Sequence, residues 1–458
     1  MAVRTGIDQE RQSLGAGFSG VLLGPDDDGY EDARRVHNGL VDKRPALIAR
    51  CRGTADIVEA LALARETGLE VSVRGGGHSV AGRSVTDGGI MIDLSLMKGI
   101  HVDPKARTVR ARGGLLWREF NRETALHGLA TTGGVISTTG IAGLTLGGGL
   151  GWLMGKHGLA VDNLLSVELV TADGQVLTVS ENEYADLFWA LRGGGGNFGI
   201  AASFEYRLHP LRQVFGGLVI YPFPAAKDVL RFFREFTQTV PDELMLVGGL
   251  IHAPDGSGAP LAALAVCHSG SMEQAQDDLR PLLEFGSPVM SEVGPMPYPA
   301  VNTMLDDGYP RGALNYWKTS FLRSLDDGVI DIAVDRFAVC PSPMTGIFLE
   351  LFHGAVTRVD PAATPVPHRR PGYDFLVPSV WTDPQATEEN VTWTRETYAA
   401  VKPYLADRRW LNYPDDDDGA DAVRSAYGPN YERLAAVKRR YDPDNLFRLN
   451  HNIEPAAA

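Results

Sequence analysis

The N-terminal part of the chain alternates between short apolar runs and amphipathic segments. Residues 44–51 form an apolar run that predicts a buried strand, and the apolar positions after Thr54 recur at helical spacing. We expect Thr54 to cap that helix and Gly68 to end it, because these residue types satisfy the backbone groups at helix ends. Strands and helices that alternate at such short spacing predict an α+β domain.

The same pattern continues beyond this first unit. Its apolar segments predict a helix at 115–127 and strands at 71–73, 90–94, 99–103, 107–113, 164–172, 175–179 and 200–208. Asp173 and Gly174 stand between two of these strands and predict a tight hairpin there.

The pattern changes near His209 and Pro210. From there the sequence predicts longer strands and helices, with strands at 215–222, 246–252 and 260–268 and helices at 225–238 and 271–284. This order predicts an antiparallel sheet with helices on one face. We therefore expect a second domain that runs to about residue 408.

Length and charge narrow the possible functions. The chain has 458 residues, which is more than one ordinary core holds, and this agrees with two domains. The formal net charge is −14, whereas a nucleic-acid-binding protein needs a basic face, so we expect no nucleic-acid partner. The acidic run Asp415–Asp418 is expected to be a solvated loop.

Cysteines and apolar runs bear on location and metal content. The three cysteines, Cys51, Cys267 and Cys340, have neither the spacing of a zinc site nor that of a disulfide framework, so we expect reduced core thiols and no metal. Residues 1–20 lack the apolar core of a signal peptide, and no apolar run is long enough to cross a membrane. These observations predict a cytoplasmic protein without a membrane partner.

The segment richest in chemistry is a glycine run that ends in a histidine, Arg74-Gly75-Gly76-Gly77-His78-Ser79. Three glycines let the backbone approach a ligand closely and point N–H groups at an anion. Such a loop is weak evidence alone, and it is not the G-x-G-x-x-G dinucleotide fingerprint.

Three segments together carry a family resemblance. Residues 74–84, with Ile92-Asp93-Leu94, resemble the first FAD-binding loop of the berberine-bridge-enzyme-like oxidases. The glycine-rich stretch 138–151 is similar to the second flavin loop of that family. Residues 427–434 and 441–447 resemble its closing block.

The resemblance implies a fold and a cofactor. The fold is the two-domain FAD-binding fold of the vanillyl-alcohol-oxidase/p-cresol-methylhydroxylase type. It would place an FAD-binding domain at 1–209, a substrate domain at 210–408, and a segment 409–458 that returns to the FAD-binding domain. In the family the loop histidine is bonded to the 8α-methyl group of FAD, which implies covalent FAD at His78.

The resemblance also assigns a set of residues to FAD binding. They come from the two glycine loops, the turn near residue 200 and the closing strand, and they are His78, Arg74, Gly75, Gly76, Gly77, Ser79, Gly82, Arg83, Ser84, Thr138, Thr139, Gly140, Gly143, Gly147, Gly148, Gly149, Gly151, Ile200, Asn450 and Asn452.

Many family members attach FAD a second time, through a cysteine in the second loop. Ile136 occupies that position here, so the resemblance implies a single attachment, a less oxidising flavin and a more enclosed site. Thr138, Thr139 and Gly140 follow, in a loop that shapes the approach of dioxygen in the family. Which residue gates oxygen stays open, and so does the choice between oxidase and dehydrogenase.

Hydride transfer from substrate to flavin requires a base that takes the substrate's proton. Tyr413 lies in an aromatic-x-Asn-Tyr-x-Asp pattern similar to the family's, and it is our first candidate for base or proton relay. A phenol has a pKa of about 10, so the site would have to lower it. Second candidates on or near predicted strands of the substrate domain are Glu350, His353, His368 and Tyr316. Trp317 lies in a segment that resembles a pocket-lining strand of the family, and a role in the protein core is an equal alternative for it.

The resemblance therefore implies an FAD-dependent oxidase that uses dioxygen and a small organic or natural-product substrate, as a monomer or homodimer. A bacterial enzyme of secondary metabolism fits this picture. Three alternatives stay open: a monooxygenase, a dehydrogenase, and a resistance protein that sequesters a drug.

Overall fold

A computed structural model describes residues 17–406, 408, 410, 412–413 and 420–457. The acidic run Asp415–Asp418 lies outside these residues. No helix in the described part of the chain is long and apolar enough to cross a membrane.

Two sheets form the N-terminal half. The first has the order β1-β2-β4-β3, with β3 and β2 parallel to β4, and its strands are β1 (Val21–Leu23), β2 (Leu47–Arg50), β3 (Val71–Arg74) and β4 (Ile90–Asp93). The second is antiparallel in the order β5-β6-β10-β8-β9, and its strands are β5 (Ile100–Asp103), β6 (Thr108–Arg112), β8 (Leu164–Val170), β9 (Val176–Ser180) and β10 (Ile200–Arg207). A short pair, β7 (Leu129–Ala130) and β11 (His209–Pro210), lies beside them.

A seven-stranded antiparallel sheet forms the other half. Its order is β15-β12-β14-β13-β17-β18-β16, and its strands are β12 (Gln213–Pro222), β13 (Leu244–His252), β14 (Pro260–His268), β15 (Met290–Pro297), β16 (Leu314–Phe321), β17 (Ile347–Phe352) and β18 (Gly372–Trp381). One face packs in a single apolar core against four helices, Ala226–Phe236, Met272–Leu283, Asp327–Phe337 and Thr387–Val401. The predicted α+β class and helix-covered antiparallel sheet are confirmed, whereas the domain boundaries stay predictions.

The remaining α-helices are mostly short and lie in the N-terminal half, between β15 and β16, and near the C-terminus. They are Tyr30–Arg34, Thr54–Thr67, Trp117–Ala125, Ile141–Leu146, Met154–His157, Ala185–Leu191, Tyr298–Thr303, Ala420–Tyr427 and Tyr431–Tyr441.

The first long helix begins differently from the prediction. Thr54 is its first residue rather than its cap, and the Thr54 hydroxyl donates to Glu168 Oε1 at 2.5 Å. Asp56 acts at this end instead, since its Oδ2 accepts the N–H groups of Arg52 and Gly53. The predicted C-terminal end is confirmed, because Gly68 takes a left-handed φ of 68° and its N–H bonds to Ala64 O.

The cysteines are thiols, as predicted. Cys51 and Cys267 are buried and Cys340 is half-buried, and none forms a disulfide. Burial raises the pKa of each thiol well above its ordinary value, so they are unreactive core side chains.

The helix Tyr431–Tyr441 packs into the core of the five-stranded sheet and ends on a buried ion pair. Lys438 Nζ donates to Asp442 Oδ2 at 2.6 Å, and also to the carbonyl oxygens of Asn197 (2.7 Å) and Phe447 (2.9 Å). Neither side chain is exposed to solvent. The pair thus ties the C-terminal segment to the turn around Asn197.

Lys438→Met is expected to reduce the free energy of unfolding by about 3–5 kcal/mol, because Asp442 would remain buried without a counter-charge. Arg440→Met is the matched control, since Arg440 pairs at the surface with Asp186 and its loss should cost less than about 1 kcal/mol. Urea denaturation measures both. Equal losses in the two variants would contradict a structural role for the buried pair.

Candidate functional site

The main cavity lies between the loops of the two small sheets and one face of the large sheet. Its floor comes from strands of the large sheet and is formed by Val247, Trp317, Phe348, Glu350 and Leu376. Its roof comes from four loop segments, which are 75–84, 135–150, 195–201 and 450–451. Residues far apart in the sequence therefore meet at one site.

Two glycine loops touch each other in the roof. A Cβ on Gly76 would lie 2.5 Å from Gly140 Cα, and a Cβ on Gly140 would lie 2.4 Å from Gly76 N. Gly77 takes a left-handed φ of 68°, which turns the chain into His78. Both loops thus need glycine to bring their backbones together along the cavity.

His78 reaches the cavity from this turn. Its ring stacks on the ring of His37 with centroids 4.0 Å apart, and its buried Nε2 has no hydrogen-bond partner among the described residues. Burial, and then the neighbouring His37, lower the pKa of His78 to about 3. Burial likewise lowers the pKa of His37 to about 4. Both imidazoles are therefore neutral at pH 7, and a neutral imidazole nitrogen can act as a nucleophile.

An acidic group stands on the opposite side of the cavity. Glu350 on β17 is 4% exposed, and its Oε1 accepts a hydrogen bond from the Tyr413 hydroxyl at 3.0 Å. Burial, and then the nearby carboxyl group of Asp374, raise the pKa of Glu350 well above its ordinary value. A carboxyl group whose pKa is raised towards neutrality is suited to accept a proton from a substrate.

Tyr413 does not have the lowered pKa that a phenolate base requires. Burial raises its pKa well above 10, and the carboxyl groups of Glu350 and Asp374 raise it further. The described groups around the hydroxyl are carboxyl groups rather than a cation, so they do not lower this pKa, and the role of Tyr413 as base or proton relay stays a prediction. Tyr413 is a hydrogen-bond donor here, and the accepting group is Glu350.

Aromatic and aliphatic side chains enclose the space beside Glu350. The Trp317 ring lies 5.5 Å from the Tyr309 ring and 5.9 Å from the Tyr413 ring, centroid to centroid. Leu305, Val247, Phe348 and Leu376 complete this wall. A flat apolar molecule would fit such a wall better than a heavily hydroxylated one.

Comparisons with known proteins identify the family. Residues 45–180 match the family model described as FAD binding domain, and residues 409–454 match the one described as Berberine and berberine like. The (R)-6-hydroxynicotine oxidase of Paenarthrobacter nicotinovorans is 32% identical, over 96% of this chain and 97% of that protein. The chain belongs to the berberine-bridge-enzyme-like family of FAD-linked oxidoreductases.

Other relatives of this FAD-linked oxidoreductase agree. A Dictyostelium discoideum FAD-linked oxidoreductase is 30% identical, over 90% of this chain and 89% of that protein. The crystal structure of 6-hydroxy-D-nicotine oxidase from Arthrobacter nicotinovorans superposes with a TM-score of 0.88, at 30% identity, over 96% of this chain and 99% of that chain. The predicted flavoprotein fold and the prediction of an oxidoreductase are therefore confirmed.

The cavity fits FAD in two respects. The Gly76–Gly140 contact leaves a backbone cradle without side chains, which suits close approach by a pyrophosphate. Two buried polar atoms of the first glycine loop, His78 Nε2 and Ser84 Oγ, have no hydrogen-bond partner among the described residues. Buried polar atoms normally find partners, and these two atoms of the FAD-linked oxidoreductase could bond to FAD.

Most of the residues that the sequence assigned to FAD line the cavity. They are His78, Gly75, Gly76, Gly77, Ser79, Arg83, Ser84, Thr139, Gly140, Gly143, Gly147, Ile200 and Asn450. Seven others do not line it, and these are Arg74, Gly82, Thr138, Gly148, Gly149, Gly151 and Asn452. The roles of all of them in binding FAD stay predictions.

Some of the seven have clear packing roles instead. Arg74 is buried in an ion pair with Asp93, with Nη2 and Oδ2 2.5 Å apart. A Cβ on Gly151 would lie 1.6 Å from Gly133 O, so this glycine is required by a neighbouring backbone. A glycine-rich motif thus serves packing as well as ligand approach.

Three candidate catalytic residues lie away from the cavity. The Tyr316 hydroxyl accepts from Arg395 Nε at 3.0 Å, on the face of the large sheet opposite Trp317. His353 Nε2 lies 2.8 Å from Leu244 O, and the His368 ring packs on Phe321. Only Glu350 and Tyr413 among the predicted catalytic residues are brought together. Neighbours in a strand face opposite sides, which explains why Trp317 reaches the site and Tyr316 does not.

Several lining residues were absent from the predicted set. Gly195, Gly196, Asn197 and Gly199 line the cavity, and the glycine run at 193–196 was a signal for them. Tyr309, which lines the cavity, and His37, which stacks on His78, have no such signal in the sequence. Each lies in a separate loop that only the fold brings to the site.

Substitutions at two glycines should separate protein packing from flavin binding. Gly76→Ala is expected to destabilise the flavin-free protein by roughly 1–3 kcal/mol, because its Cβ would overlap Gly140. A Cβ at Gly143 meets nothing within 4 Å, so Gly143→Ala should leave the flavin-free protein stable. Because Gly143 lines the cavity, the added methyl group should weaken FAD binding. Thermal unfolding and FAD titration measure the two effects. The same loss of thermal stability in both variants would contradict this assignment.

Proposed function

We propose that the protein is an oxidase with FAD attached once, through His78, that removes a hydride and a proton from a small aromatic substrate. The observation that supports this most directly is the Glu350–Tyr413 pair in the same cavity as the His78 loop. When bound, FAD accepts the hydride at N5 and passes the electrons to dioxygen.

The environment of His78 supports covalent attachment. Its pKa is lowered by burial and by His37, so the ring keeps a free lone pair with which His78 would hold the flavin at its 8α carbon. In that bond the imidazole nitrogen would replace one hydrogen of the 8α-methyl group, and the two electrons released would pass through the flavin to dioxygen. Ile136 lines the cavity at the position where a second attachment would need a cysteine, and its side chain has no nucleophile. A single bond to the flavin follows.

Glu350 is the proposed base. Its carboxylate can accept the substrate proton, while Tyr413 holds Oε1 through a 3.0 Å hydrogen bond and thereby orients the carboxyl group. Tyr413 acts as a donor in this scheme and as a possible route for the proton. Val247 and Phe348 exclude water around the carboxyl group and so keep its pKa raised.

The wall of the cavity indicates the substrate class. On the large-sheet side, the described lining residues offer a carboxyl group, two phenols and an indole but no basic side chain. Anionic substrates such as carboxylates or phosphates would therefore be repelled. A neutral or cationic aromatic compound that carries a hydroxyl or amine group suits the site, and the relative named (R)-6-hydroxynicotine oxidase agrees with this class.

Oxygen stoichiometry tests the proposal. The purified protein is supplied with a panel of aromatic amines and alcohols, and dioxygen consumption, hydrogen peroxide and product are measured together. One peroxide per substrate oxidised supports the oxidase. Oxygen incorporated into the product would indicate a monooxygenase. Turnover that requires an artificial electron acceptor would indicate a dehydrogenase, and tight binding without turnover would indicate a sequestering protein.

A further inference from the structure

We propose that Asp374 is a positioning residue that shares a single proton with Glu350, so that the two carboxyl groups work as one acid–base unit. This inference rests on the proposed function, in which Glu350 takes the substrate proton. Asp374 does not line the cavity and carries no sequence signal, so it acts on the substrate only through Glu350.

The sheet register brings the two groups together. Glu350 on β17 is directly opposite Asp374 on β18 in an antiparallel pair. Residues directly opposite point to the same face, with Cβ atoms about 4.5–5.5 Å apart. Asp374 has no exposed surface and Glu350 is 4% exposed, so neither carboxyl group can be hydrated as a free ion.

The hydrogen bonds leave one free oxygen on each carboxyl group. Tyr413 donates to Glu350 Oε1 at 3.0 Å, and Thr319 donates to Asp374 Oδ2 at 2.7 Å. The other two oxygens, Glu350 Oε2 and Asp374 Oδ1, have no hydrogen-bond partner among the described residues. One proton between these two atoms satisfies both, and it removes the repulsion between two buried negative charges.

Among the described residues, no cation faces the pair that would keep both groups ionised. The titratable groups that face the pair are the phenols of Tyr413 and Tyr309, while β16 contributes Thr319 and β13 contributes Val247. Burial raises the pKa of both carboxyl groups, and no described basic side chain lowers either. The unit therefore carries one negative charge at rest and none once Glu350 has accepted the substrate proton.

Infrared difference spectroscopy on the flavin-loaded protein tests the shared proton without turnover. The C=O stretch of a protonated carboxyl group is followed as the pH is raised. In the wild type we expect such a band to persist to near neutral pH and then titrate. In Asp374→Asn the amide N–H donates to Glu350, so the remaining transition should move to lower pH by at least about one pH unit.

Three further variants complete the design. Glu350→Gln should move the Asp374 transition to lower pH in the same way. Two coupled carboxyl groups titrate in two steps. Thr319→Val removes the hydrogen-bond donor to Asp374, so it should move the step at lower pH to higher pH. This variant tests the pair even where Asp374→Asn folds poorly. Asp278→Asn is the matched control, since its carboxylate bonds to His268 on another part of the sheet and its loss should leave the transition in place.

The pH dependence of kcat/KM then separates the pair from the proposed function. Asp374→Asn leaves Glu350 as the one titrating carboxyl group of the pair, so we expect the acidic limb of that variant to fall at the same pH as its infrared transition. An unmoved transition in both Asp374→Asn and Thr319→Val overturns the shared proton. A moved transition in a protein that oxidises no substrate supports the shared proton and contradicts the oxidase instead.

Discussion

His78→Ala is expected to abolish acid-stable flavin completely. The wild-type protein, precipitated with acid, should give a yellow pellet with flavin absorbance, because a covalent bond survives unfolding. In the variant all flavin should appear in the supernatant, because alanine has no nitrogen that could form the bond. The glycine cradle at Gly76 and Gly140 is intact in this variant, so added FAD should still bind reversibly.

His157→Ala is the matched control for this experiment. His157 is also stacked on a second histidine, His209, at 3.8 Å between ring centroids, and burial lowers its pKa to about 3. It differs from His78 in lying outside the cavity lining. Retained covalent flavin in His78→Ala would show that attachment does not depend on the loop histidine. Loss of covalent flavin in His157→Ala would show that the effect is not specific to His78.

Glu350→Gln is expected to lower kcat by about 10²–10⁴-fold, the usual contribution of a general base. Flavin content should not change, because the substitution is nearly isosteric and Tyr413 can still donate to the amide oxygen. In the wild type, kcat/KM should rise with pH as Glu350 loses its proton, since only the carboxylate accepts a proton and burial has raised its pKa. The variant should lack this acidic limb.

Tyr413→Phe provides the comparison. It removes one hydrogen bond to Glu350, worth about 1.5–3 kcal/mol for a charged acceptor, and should cost roughly 10- to 100-fold in kcat. The pH profile should keep its acidic limb, because the base is still present. Steady-state kinetics over a pH series measures all three proteins. A loss in Tyr413→Phe that equals or exceeds the loss in Glu350→Gln would reverse the roles proposed for the two residues.

The sequence predicted features that depend on nearby residues. Apolar periodicity predicted the strand at β10 and the helix that Gly68 ends, because burial and chain reversal are local properties. The glycine run before His78 predicted a loop that approaches a ligand closely, and the structure adds a contact of this loop with the backbone of Gly140.

Features that depend on register between distant segments were not predictable. Glu350 and Asp374 face each other only because β17 and β18 pair in one particular register, and a slip of one residue would turn them apart. The direction of the pKa shift at Tyr413 was not predictable for a related reason. Its pKa depends on which charges the fold brings near it, and these are carboxyl groups from other strands.

The composition of the cavity roof has a consequence for the timing of biosynthesis. His78 and its glycine loop share that roof with Asn450 and His451. A growing polypeptide is extended at about 5–20 residues per second, so His78 emerges from the ribosome roughly 20–75 s before Asn450 and His451. Throughout that interval the histidine is accessible while the wall that would enclose a cofactor is incomplete. Stable capture of the cofactor is therefore an event of the finished polypeptide, not of the nascent one.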